Sequence, residues 1–163
     1  MSAKRIDFSP ETATPAAGDQ SVSQLIAYIV AHYHEGHRRE LPGLVRLAVE
    51  LGDGAAASEL ALRLSRLLPA LELHMFMEEM RLFPMMTQGG HVLVGQLIED
   101  MSAEHALHAC DLARLRSLTV DACAAPKDSA AGARILQFLD EFAAHIAIEE
   151  DTLFPMFVAP VRS

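Results

Sequence analysis

Apolar residues recur three and four positions apart along almost the whole chain, and no stretch alternates as a half-buried strand would. The pattern predicts four amphipathic helices. The first starts at Ser21 or Ser23 as N-cap and carries "LIAYIVAHYHEGHRRELPGLVRLAVEL", with a kink or break expected at Pro42 and an end at Asp53-Gly54. The second runs from about Ala56 to Phe83, with a kink expected at Pro69, and the Gly89-Gly90 pair follows it. The third covers about Val92 to Leu118. After the loop "TVDACAAPKDS", the fourth covers about Ala130 to Phe154, capped by Asp128 or Ser129. Long amphipathic helices on short connections predict an all-α fold, an antiparallel up-down-up-down four-helix bundle. Residues 21–158 would form it, behind a Pro/Ala/Thr-rich lead-in at 1–20 and ahead of a tail at 159–163.

Polar residues interrupt the apolar faces, and they do so twice in the same order. "HMFMEEMRLFP" at residues 74–84 returns as "HIAIEEDTLFP" at 145–155, an offset of 71. The HxxH pair His34/His37 returns as His105/His108 at that same offset. Each half therefore reads H-x2-H, then H-x3-E-E-x2-L-F-P, which predicts two helix pairs related by an approximate internal twofold. Equivalent residues would then meet at the centre of the bundle.

On a helix, residues four apart lie about 40° apart around the axis and ~6 Å along it, so His74 and Glu78 share a face, as do His145 and Glu149. Their neighbours Met75, Met77, Leu82, Ile146, Ile148 and Leu153 are apolar, so part of that face is buried. A buried carboxylate needs a pKa shift, a counter-charge or a metal. Neither motif contains lysine, and Arg81 is matched by Thr152. Carboxylates and imidazoles converging in a bundle core suit a pair of divalent cations, which carboxylates can bridge and imidazoles can cap. Without cations, Glu78 and Glu149 are expected to face and repel each other.

Either histidine of each HxxH pair can point inward; His34 and His105 are preferred as ligands, with His37 and His108 behind them. Glu79 and Glu150 fall about 140° from His74 and His145, so they are expected to support the ligands or lie at the surface. His32 and His91 have no repeat partner and read as ordinary histidines. A lone histidine on an apolar face is usually a core residue, and duplication alone leaves matching positions. Here, though, the apolar positions have drifted between the halves while His and Glu have not, and packing tolerates drift where coordination does not. No catalytic side chain stands out beyond these candidate ligands.

Composition narrows the setting. Half of the 163 residues are apolar (51%), enough for one domain with a real core, and no apolar run is long enough to span a membrane. A formal net charge of −9 argues against nucleic acid as a partner. Two cysteines, Cys110 and Cys123, make neither a disulfide framework nor a CxxC site, and the lead-in lacks the apolar core of a secretory signal. A cytoplasmic location is expected.

"HYHEGHRRELP", "HMFMEEMRLFPMM", "EHALH" and "HIAIEEDTLFP" together resemble the hemerythrin-like (HHE cation-binding) family over about residues 21–158. They look most like its repair-of-iron-centres branch, di-iron proteins linked to nitrosative and oxidative damage of iron–sulfur clusters. The resemblance implies two non-haem iron ions, with His34, His74, His105 and His145 as terminal ligands and Glu78 and Glu149 as bridges. It also implies a stress-response role: binding NO, O2 or peroxide and supplying iron for cluster repair, with iron–sulfur proteins as clients. The alternative within the family is an oxygen-binding or oxygen-sensing hemerythrin. Zinc or manganese are substitutes that the same donors would accept. Two features depart from the repair branch. Its members usually carry a small N-terminal domain with an adjacent cysteine pair, where this chain has the lead-in. They also tend to have a histidine after the first helix, and residues 38–73 contain none. Oxygen carriers use five histidines with a glutamate and an aspartate, unlike the four-plus-two set here. The oligomeric state is open at this stage.

Overall fold

The computed structural model describes residues 22–88, 92–125 and 128–158. Ser21 as a cap, the lead-in at 1–20, the Gly89-Gly90 pair, His91 and the tail at 159–163 lie outside the described residues. Among the described residues every regular element is helical, and they form four rods: α1 (residues 22–50), α2 (residues 55–87), α3 (Val92–Ala122) and α4 (residues 129–156). α1 packs on α2 and α4, α2 on α3, and α3 on α4, which closes the up-down-up-down ring expected from the apolar pattern.

Three rods contain one wide π turn each: Val30–His34 in α1, Glu78–Leu82 in α2 and Glu149–Leu153 in α4. The buried positions explain why. His74, Glu78, Leu82 and Met86 are all buried at steps of four. In an unbroken α-helix three such steps drift by about 120°, and a single wide turn takes that drift back. In α1, Ile29 and His34 are both fully buried although five apart, the same extra residue in another place. α3 is α-helical throughout.

The chain stays helical across both internal prolines. α1 runs through Pro42, and α2 runs through Pro69 and on to Thr87. Pro69 is exposed, and so is Ser65, whose carbonyl it leaves without an amide, so water can take that group. Pro84 and Pro155 each follow a phenylalanine whose N–H reaches back five residues to close the wide turn. At that switch of hydrogen-bond spacing the missing amide costs little. α3 also extends past Leu118 to Ala122. α1 ends at Glu50, and Gly52 makes the exit with φ of 108°, a left-handed conformation that suits glycine. Asp128 stands at the N-cap of α4 but makes no side-chain capping bond.

The interior is divided. One apolar cluster holds Leu41, Leu44, Leu60, Leu64, Leu71, Leu115, Ile135, Phe138 and Phe142 among others; the second holds Leu25, Ile29, Leu82, Phe83, Ile98, Met101, Leu153 and Phe154. Each buried leucine or phenylalanine contributes about 1.5–3 kcal/mol. α3 and α4 approach closely where Gly132 meets Cys123: a Cβ on Gly132 would stand 2.9 Å from Cys123 Cβ. Between the two clusters lies a layer of buried polar side chains.

Candidate metal centre

All four rods contribute to that layer. α1 supplies His34, α2 supplies His74 and Glu78, α3 supplies His105, and α4 supplies His145 and Glu149, each at most 2% exposed. They form two four-donor groups, His34/His145 and His74/His105, each completed by Glu78 and Glu149, with the donor atoms of a group within 4.8 Å of one another. Each group therefore takes one histidine from each sequence half. The Nε2 atoms of His34 and His145 are 3.1 Å apart, and those of His74 and His105 are 3.0 Å apart.

The carboxylates stand between the groups. Glu78 turns Oε2 toward His34 Nε2 and Oε1 toward His74 Nε2, both at 3.4 Å. Glu149 turns Oε1 toward His145 Nε2 at 3.1 Å and Oε2 toward His105 Nε2 at 3.2 Å. Both Glu78 oxygens and Glu149 Oε2 are buried without a partner in hydrogen-bonding geometry. Such oxygens are costly unless something positive satisfies them. Four imidazole nitrogens and two carboxylates, with orphaned oxygens aimed at the gaps, fit divalent cations of borderline softness.

The outward nitrogens of three histidines are held by carboxylates. His34 Nδ1 donates to Glu79 Oε1 at 2.7 Å, His105 Nδ1 to Glu150 Oε1 at 2.7 Å, and His74 Nδ1 to Glu104 Oε2 at 2.8 Å. Glu79 and Glu150 thus turn away from their own helix's histidine, as their helical angle requires, and reach the neighbouring rod. His145 differs: its Nδ1 is buried with no partner, and Tyr33 stacks on its ring at 5.3 Å and 9°. Glu104 and Tyr33 escaped the sequence reading, although each sits one residue before a candidate ligand, a step of about 100° that aims it at the adjacent rod.

His37 and His108 belong to neither four-donor group. His37 packs edge-on against Phe138 and Phe142 and lies 5.2 Å from the ring of His145, with Nε2 unpartnered. His108 packs edge-on against His74 at 5.3 Å, and with Glu104 it forms a smaller group behind His74. His32 stacks on Tyr28 at the surface.

Without a cation, the imidazoles would settle the charge of the layer. Burial alone would lower His74, but the Glu78 and Glu104 carboxylates lift it to about 9. His34 and His105 are also raised against burial, by Glu78 and Glu79 and by Glu149 and Glu150. Burial alone would raise Glu149, yet His145 and His105 hold its carboxyl well below the usual range. The expected repulsion between bare glutamates is therefore replaced by imidazoles interleaved with them. Burial and the neighbouring imidazoles push His37 down to about 3 and His108 to about 4. Burial and Tyr28 push Tyr33 up to about 12.

A helical bundle with a paired His/Glu layer at its waist defines a cation-binding helical protein. Residues 25–157 match the Hemerythrin HHE cation binding domain, and the chain belongs to that family. Over 145 residues, 83% of its length, it is 30% identical to a "Probable iron-sulfur cluster repair protein" of Haemophilus influenzae. Over 147 residues, again 83% of its length, it is 33% identical to the "Iron-sulfur cluster repair protein YtfE" of Yersinia pseudotuberculosis. The matches span 65% and 66% of those relatives' own lengths. Among the described residues no helix is long and apolar enough to cross a membrane.

Proposed function

We propose that the chain holds two iron ions, one in each four-donor group, with His34, His74, His105 and His145 as terminal ligands and Glu78 and Glu149 as bridges. The observation that carries this reading is the split aim of the carboxylates: each gives one oxygen to each histidine pair. Zinc or manganese would find the same donors acceptable, so metal content decides the native ion. Bound there, a pair of irons would supply reversible Fe(II)/Fe(III) chemistry and coordination positions open to small ligands.

The protein's own residues prepare the site for that use. Glu79, Glu104 and Glu150 fix the Nδ1–H tautomer of three histidines, so Nε2 is the face offered inward. Phe83 and Phe154 stack on His34 and His105 and cover them from the smaller apolar cluster. Four protein donors per ion leave room for NO, O2 or peroxide beside the protein ligands. The names of the relatives, iron–sulfur cluster repair proteins, support iron–sulfur proteins as clients; a nitrosative or oxidative stress role, with iron supplied for that repair, is the reading proposed here. Both cysteines are free thiols, which suits a reducing cytoplasm. The hemerythrin-type alternative, reversible oxygen carriage or sensing, is disfavoured by the equal donor count of the two groups, since a carrier needs one ion kept closed.

The test is metal analysis of anaerobically purified protein, followed by its mixing with an apo iron–sulfur protein and NO. Two irons per chain, an optical change with NO and rebuilding of the cluster are expected. A zinc-filled site that neither reacts with NO nor yields metal would refute the reading.

A further inference from the structure

The two four-donor groups match in their donors but not in what stands behind them. Around His74/His105, both imidazoles donate Nδ1–H to a carboxylate, Glu104 and Glu150. Among the described residues no lysine or arginine pairs with either acid. Around His34/His145, only His34 has such an acceptor, and it is shared: the same Glu79 Oε1 that accepts from His34 also forms an ion pair with Arg38 Nη1 at 3.0 Å. His145 Nδ1, in a fully buried ring, has none.

The internal repeat shows where the difference enters. Position 104 minus the offset of 71 is position 33, so Tyr33 stands where the other half has Glu104, and it offers a ring face where an acceptor would be. Arg38 likewise has Ala109 as its counterpart, so nothing equivalent competes for Glu150. The wide turn Val30–His34 that precedes His34 has no match before His105 in α3.

A carboxylate behind an imidazole raises its basicity and fixes its aim, and losing one costs 10–100-fold in metal affinity as a rule. We infer that the two sites are unequal: the ion at His74/His105 is retained, and the ion at His34/His145 is the one released, with Tyr33 and Arg38 setting the difference. This inference rests on the two-ion reading above and names which iron the protein would give up. Tyr33, Arg38 and Glu104 act through the ligands as positioning residues.

The experiment uses the full chain, loaded anaerobically with two equivalents of Fe(II) and challenged with graded chelator. The iron remaining per chain is measured, and the retained ion is located by anomalous diffraction from crystals grown at the plateau. Loss in two steps about 10–100-fold apart in chelator is expected, with the retained ion between His74 and His105. Glu104→Gln, at a half-exposed side chain that folding tolerates, should move the second step to ~10-fold lower chelator and leave the first in place. Arg38→Met and Tyr33→Glu should delay the first step. Loss in a single step, retention at His34/His145, or a Glu104→Gln variant that moves only the first step would overturn the inference. Fewer than two ions in the loaded wild type would instead strike the two-ion reading itself.

Discussion

Glu79 reaches His34 across 45 residues of sequence and accepts its Nδ1–H at 2.7 Å. Burial alone would raise the Glu79 carboxyl, but His34 and Arg38 hold it below the usual range, so it is an ionised acceptor at neutral pH. The same relationship recurs between Glu150 and His105. These glutamates do not touch the gaps between the ligands; they govern what the imidazoles can do there.

Replacing Glu150 with Ala should therefore leave the helical content unchanged and weaken cation binding by ~10–100-fold. Anaerobic calorimetry with Fe(II) reads this directly. An unchanged affinity would mean the Nδ1 bond has no hold on the site.

Stoichiometry should separate bridges from terminal ligands. Glu78 faces both histidine pairs, so Glu78→Ala should abolish binding of both ions. His145 faces one, so His145→Ala should leave one ion per chain. Metal analysis against protein concentration checks both, and the reverse order would break the bridging assignment.

Much of this arrangement is legible before folding. The 71-residue offset singles out ten His and Glu positions, helical angle and the family resemblance narrow them to six, and the 3.6-residue period marks four rods. The wide turns are less visible, because a helical period counts residues per turn as constant. Only the five-residue gap from Ile29 to His34 and the run of fours from His74 to Met86 betray them, and those become meaningful once burial is known. Proline signals overstate a break at Pro42 and an end at Pro84, where tertiary packing and the wide turn absorb the lost amide. The pairing of His34 with His145, across halves, depends on which rods are neighbours, which no local pattern states. Tyr33 in place of an acid is visible in the repeat, yet its effect requires seeing His145 Nδ1 without an acceptor.

The metal-free protein should lose stability as pH rises. A base whose folded pKa is raised stabilises fully below its unfolded value of 6.5 and loses that contribution as pH climbs through the folded value, about 9 for His74. His34 and His105 shift in the same direction. His37 and His108, held neutral by burial and nearby imidazoles, are neutral in both states above about 6.5 and drop out of the balance. Glu149, depressed by His145 and His105 against burial, contributes fully throughout this range. Tm of the apo-protein should fall between pH 6.5 and pH 9, whereas cation binding tightens over that interval because the ligands must shed protons. Calorimetric melts at three pH values suffice, and an apo Tm that rises with pH would refute the assignment.

Packing makes two further predictions. Leu64, with no exposed surface in the larger apolar cluster, should cost about 2–5 kcal/mol when changed to Ala. Gly132→Ala, which on an open helix would stabilise, should destabilise by ~1–3 kcal/mol because the new Cβ meets Cys123 Cβ at 2.9 Å. Denaturant titration distinguishes the signs.

With both sites filled by Fe(II), exposure to air should oxidise the protein with no long-lived oxygenated form, since neither four-donor group is kept closed. Stopped-flow optical spectra follow this. An oxygenated species that persists and reverts under vacuum would restore the oxygen-carrier alternative.

The polar layer also has a mechanical meaning for the fold. Among the described residues it divides the interior into two apolar compartments, fifteen buried residues in one cluster and ten in the other, joined across a seam of charge. Cations in that seam would clasp all four rods at once and make the whole bundle open as a single cooperative unit. Emptied, the seam becomes a weak plane, and the end around Leu25, Met86, Ile98 and Phe154 is expected to open first, ahead of global unfolding. Surrendering metal and loosening one end of the molecule would then be the same event, visible as faster amide exchange confined to that end.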